Sequence, residues 1–130
     1  MGSVSIQNLT RSALGGPRQV FSKVAADVLP GWEISLVFVG EKRALDLNKK
    51  LRRKSYVPNV LSYIAGEKSG EIIICPREAK RQASAYHMSV QNFILYLFIH
   101  GTLHIKGWPH GATMDRCEEV LLAKYAKGLA

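Results

Sequence analysis

The segment from Val90 to Ile105, VQNFILYLFIHGTLHI, is apolar almost all the way round when wound as a helix. Such a helix has no face to show to water, so the rest of the molecule must enclose it. Its longest uninterrupted apolar stretch, Phe93 to Ile99, is far too short to cross a bilayer. The enclosure therefore comes from protein, and the chain must wrap its other elements around one central helix. With 130 residues there is enough chain for one domain with a real core.

The flanking segments supply the wrapping. Val4 to Leu9 alternates as a first strand, and Pro17 opens a helix whose apolar face is Val20, Phe21, Val24 and Val28, closed by Pro30. Trp32 to Val39 starts in alternation and ends in the run LVFV, which predicts a strand covered on both faces. Glu41 starts a second helix with Ala44, Leu47 and Leu51 inward and a basic tail, KKLRRK, from Lys49 to Lys54. Pro58 to Tyr63 and Gly70 to Cys75 are two short strand candidates whose spacing suits a hairpin or an edge pair. A helix marked by Ala79, Ala83 and Tyr86 follows Pro76. The central helix stops at Gly107-Trp108-Pro109, and a last helix runs from about Asp115 to Lys127. The pattern predicts one α/β (α+β) domain over 1–130, with a single mixed sheet of about four strands packed against helices.

Charge narrows the partners. Lys and Arg number 18 against 10 Asp and Glu, a net +8, which points to phosphate-rich partners, nucleic acid first and an anionic membrane surface second. Cys75 and Cys117 lie far apart and form no CxxC, so they are expected to be buried thiols in a reducing compartment. The opening MGSVSIQNLT has no basic stretch followed by an apolar run, so no signal peptide is expected and the reading is a cytoplasmic protein with no membrane segment.

The chemistry sits at the end of the central helix, in HGTLHIKGWPH from His100 to His110. Residues four apart share a helix face, so His100 and His104 can reach one ion. Gly107 can end the helix in a sharp reversal that returns His110 to the same face. Three neutral imidazoles leave a fourth position for water, as in catalytic zinc sites. They suit zinc, nickel and copper alike. The fourth histidine, His87, has no such partners and is expected at an exposed helix end.

The spacing HxxxHxxGxxH is also that of a group of zinc proteases, but those place a glutamate directly after the first histidine, where this chain has Gly101. A bound ion can acidify water to a pKa of about 7 without a protein base, so hydrolysis survives the loss. Peptide hydrolysis, in which that carboxylate also serves the leaving amine, is disfavoured. Basic charge and a metal site expected to be free of carboxylate point together to phosphoryl chemistry on nucleic acid.

HGTLHIKGWPH resembles the HGxLHLxGYDH signature of the YbeY family of ribosomal-RNA-maturation endoribonucleases. Two upstream blocks agree in order: LNKKLRRKSYVPNVLSY, Leu47 to Tyr63, resembles the family's LNxxYRxKDxxTNVLSF, and GEIIICP resembles its GDIxIC strand. The resemblance implies a mixed α/β layer fold with a metal on the central helix. It further implies metal-dependent cleavage of single-stranded RNA in small-subunit rRNA maturation and ribosome quality control. His100, His104 and His110 fall on the metal ligands, Arg52 on the family's arginine near the active site, and Asn59 and Ser62 on the segment lining the cleft. Arg53 and Lys54 are expected to contact phosphate without a chemical role. Pro109, Pro58 and Leu51 depart from the family's aspartate, threonine and tyrosine. Two other readings remain open at this point: an RNA- or ribosome-associated binding protein with a structural metal, and a metal-dependent hydrolase of another bond.

Overall fold

The computed structural model describes residues 2–11 and 18–129. Four strands form one mixed sheet: β1 (Ser3–Asn8), β2 (Glu33–Phe38), β3 (Val60–Gly66) and β4 (Ser69–Ile74). Their spatial order is β1-β2-β4-β3, with β1, β2 and β4 parallel and β3 antiparallel to β4. The expected hairpin is present and occupies one edge. Five α-helices accompany the sheet: α1 (Gln19–Val28), α2 (Glu41–Arg52), α3 (Pro76–Ala83), α4 (Val90–Lys106) and α5 (Ala112–Tyr125). Among the described residues no helix is long and apolar enough to cross a membrane.

The strands' period of two divides the core between the sheet's faces. Ile34, Leu36 and Phe38 of β2 and Ile72 and Ile74 of β4 pack with α1, α3, α4 and α5. Ile73 and Cys75 turn the other way and meet Val39, Leu61 and Ala44 of α2 in a smaller cluster. Helix α4 is buried from Phe93 to Ile105 apart from Tyr96, His100 and His104, so the apolar segment is the centre of the molecule, as its composition demands. Its first turn is capped by Ser89, whose Oγ accepts from Asn92 N–H at 3.1 Å.

Two glycines set how closely α4 lies on β4. A Cβ on Gly101 would meet the Ile72 side chain at 3.2 Å, and one on Gly70 would meet Ile105 at 2.8 Å. The position where zinc proteases carry their glutamate is thus the floor of the helix–sheet contact. A Cβ there would press on Ile72 more tightly than side chains ordinarily do, so a glutamate at this position would require the isoleucine to give way.

Several expectations are corrected. Pro17 lies outside the described residues; the helix after it runs as expected and buries Val20, Val24 and Val28. Leu51 is exposed at 50%, not inward. The cluster under α2 reaches Leu47 and Val57 and ends there, so the last turn has nothing apolar to cover it. Asn48 is buried on that face instead and donates from Nδ2 to the Tyr56 carbonyl at 2.9 Å. Tyr86 falls in a 3-10 turn after α3 and is exposed, with its ring 5.1 Å from that of Phe93. Helix α5 begins at Ala112, before Asp115. Both cysteines are free, but only Cys75 is buried, and that burial pushes its thiol pKa up; Cys117 is half-buried.

Candidate metal centre and cleft

His100 and His104 stand one turn apart on α4, with their Nε2 atoms 2.9 Å from each other. Gly107 then ends the helix at φ 103°, where its N–H meets the His104 carbonyl at 2.9 Å and Trp108 N–H meets the Leu103 carbonyl at 3.1 Å. This closure requires the left-handed backbone that glycine adopts without penalty. The chain reverses and delivers His110. Each of the three rings offers a nitrogen within 4.8 Å of the others, and their centroids are 4.4 to 5.2 Å apart. Three convergent imidazoles are a donor set that fits a divalent transition metal and leaves a coordination position open. His87 is exposed and takes no part.

The expectation of a site without carboxylate is corrected by Glu118. This residue of α5 is 2% exposed, and its Oε2 lies 2.5 Å from His100 Nδ1. A carboxylate accepts, so His100 carries its proton on Nδ1 and leaves the Nε2 lone pair to face the other rings. Tyr96 stands beside this pair; its hydroxyl pKa is pushed up to about 12 by burial first and by the Glu118 charge next. A neutral phenol and a buried carboxylate thus back one histidine. His104 has its pKa lowered from 6.5 by burial first, then by His100 and His110. The ring stays neutral, as a ligand must be.

Glu118 was legible in principle. Met114, Glu118, Leu121 and Tyr125 recur at helical spacing on the side of α5 that meets the core. An acid set in an apolar stripe calls for a buried partner. We expect Glu118→Ala to weaken metal binding by about 10- to 100-fold, the range typical of lost outer partners of metal-bound histidines. Competition with a chromogenic chelator measures it, and nitrogen chemical shifts of the metal-free protein should show His100 moving its proton off Nδ1. Unchanged affinity and tautomer would remove Glu118 from the site.

The histidines open on a cleft of about 550 Å³ that Arg52, Asn59, Val60, Leu61 and Ser62 also line. The structure therefore places Arg52, Asn59, Ser62 and the three histidines on one cleft. It does not bring Arg53 or Lys54 to the cleft wall. Arg53 has φ 56° and closes α2, its N–H bonding the Lys49 carbonyl at 3.1 Å while Lys54 N–H bonds that of Asn48 at 3.3 Å. Both side chains are exposed.

The profile of the endoribonuclease YbeY family matches residues 5–126. The chain belongs to that family. Among its relatives, the endoribonuclease YbeY of Bdellovibrio bacteriovorus is 33% identical over 104 residues, covering 71% of this chain and 69% of the relative. That of Phytoplasma australiense is 28% identical over 116 residues, covering 82% and 81%. That of Finegoldia magna is 38% identical over 92 residues, covering 65% of this chain and 60% of the relative. In fold, the chain resembles the solution structure of a Thermotoga maritima protein, with a TM-score of 0.70 over 96% of this chain and 90% of that one at 18% identity.

Proposed function

We propose that this protein is a metal-dependent, single-strand-specific endoribonuclease that acts in ribosomal RNA maturation and ribosome quality control, with residues 1–130 working as one domain. The observation that carries the reading is the shared cleft, lined by three convergent imidazoles and by Arg52, in a chain of the endoribonuclease family. His100, His104 and His110 would hold zinc, with nickel or another divalent transition metal able to use the same donors. When bound, the ion supplies Lewis acidity towards a phosphoryl oxygen and acidifies water. Arg52 is always charged and donates in a fixed fork, so it suits the oxygens of a phosphodiester as negative charge builds on them. Arg53, Lys54, Asn59 and Ser62 are assigned to substrate binding. A cleft of about 550 Å³ has room for a splayed nucleotide; the preference for single strands over duplex rests on the family resemblance. The small-subunit rRNA or the ribosome as partner and the cytoplasm as location belong to the same proposal.

The test is metal analysis joined to cleavage of a single-stranded RNA with and without chelator. Chelation should abolish cleavage and added zinc restore it. Cleavage that persists without metal would refute the metal dependence, and stoichiometric metal with no cleavage would favour a binding protein with a structural ion. Binding should also weaken steeply with salt, each neutralised phosphate adding a slope of about −0.7 for single strands.

A further inference from the structure

Asn59 lines the cleft, and its amide is oriented from outside it. Glu78 pairs through one oxygen with Arg81 at 2.8 Å and through the other accepts from Gln82 Nε2 at 2.8 Å. A carboxylate only accepts, so Gln82 must turn its NH2 group to Glu78. Gln82 Oε1 then faces Asn59, which answers with Nδ2 at 2.8 Å. The order does not depend on telling amide nitrogen from oxygen, because flipping either amide sets like groups against each other. Glu41 anchors the far end, pairing with Arg81 at 2.8 Å and Arg77 at 3.1 Å. The Asn59 backbone carbonyl is occupied by Cys75 N–H at 3.0 Å. Its Oδ1 has no protein donor among the described residues. Gln82 takes one of the two Nδ2 hydrogens, so what Asn59 has left to offer a ligand in the cleft is the Oδ1 acceptor and the second Nδ2–H.

We propose that Asn59 Oδ1 accepts a hydrogen bond from the ribose 2′-hydroxyl of the nucleotide in the cleft, so that Asn59 is the residue that tells RNA from DNA. Gln82 and Glu78 are its positioning residues. The inference rests on the endoribonuclease reading of the same cleft. A phosphate has only acceptors, so it can meet Arg52 or the second Nδ2–H but is repelled by the Asn59 oxygen, and it is the same in RNA and DNA. The substrate donor that lies beside a phosphodiester in every ribonucleotide, whatever its base, is the 2′-hydroxyl, the group that distinguishes RNA from DNA. Base donors lie further from the phosphate and differ among the bases.

The experiment compares a short single-stranded RNA with the same sequence carrying 2′-fluoro at every sugar, which keeps the bases and sugar pucker and cannot donate. Affinity for the metal-loaded protein is read by fluorescence anisotropy immediately after mixing. The wild type should bind the RNA about five- to tenfold more tightly, the worth of one hydrogen bond. In Asn59→Ala that ratio should fall to about unity, both strands still binding. Gln82→Glu keeps an acceptor for Asn59 Nδ2 and should keep the preference. Gln82→Lys donates to both Glu78 and Asn59 Oδ1, turning the amide, and should lose it. Charge changes act on both strands alike, so the ratio isolates the hydroxyl. A wild type that does not discriminate, or a ratio untouched by Asn59→Ala, overturns the assignment, as does an Asn59→Ala loss equal for both strands, which would mean that Asn59 meets a base or a phosphate and not the hydroxyl. If the wild type neither binds nor cleaves RNA, it is the endoribonuclease reading that falls.

Discussion

His104→Ala is expected to take bound metal well below one ion per chain and to abolish cleavage with it. The three rings form one donor set, and two imidazoles without the third do not hold a zinc-type ion in a catalytic geometry. The expectation has a pH dependence with a definite sign. His104 is held below its ordinary 6.5 by burial and by its two histidine neighbours, so the unfolded chain binds a proton in a window where the folded ring does not. Stability from this group is therefore present above pH 6.5 and lost as pH falls through the lower folded value. Metal affinity moves the same way, since protons and the ion compete for one nitrogen. Plasma emission analysis of the purified variant, with wild-type metal titrations at falling pH, measures both. Full stoichiometry in His104→Ala would refute the three-histidine site.

The central helix, the hairpin and the histidine cluster were legible because each rests on a local pattern. An apolar run without a polar face must be enclosed, and two histidines four apart share a face wherever the helix lies. What the pattern lacks is the identity of the opposite wall. Periodicity placed Leu51 on the inner face of α2 correctly in angle, but the sheet's second cluster stops before that turn. Glu118 and Gln82 act on His100 and Asn59 across 18 and 23 residues of sequence, and no local rule joins them. The absent protease glutamate was visible as Gly101, while the close approach of the Ile72 side chain to the helix at that position belongs to tertiary packing. The carboxylate this site does have comes from another helix and backs His100 through Nδ1.

Arg52→Ala is expected to lower single-turnover cleavage by roughly a hundredfold, about 3 kcal/mol, with a much smaller loss of RNA affinity. The argument rests on where α2 ends. Arg52 is the last helical residue and lines the cleft with the three histidines, and its charge is among those that lower the His104 pKa. Arg53, one residue on, sits in a left-handed cap and does not line the cleft. Two adjacent guanidiniums of equal charge thus differ in place, which makes Arg53→Ala the control. It should weaken binding modestly and leave the bound-state rate alone, because a contact made equally before and during reaction does not lower the barrier. Metal content should match the wild type in both variants, since neither side chain is among the metal donors. Cleavage measured at saturating enzyme separates the two effects. Equal rates in the two variants would make Arg52 another surface charge that holds RNA near the ion, and would leave the metal and His100 to His110 as the whole of the chemistry.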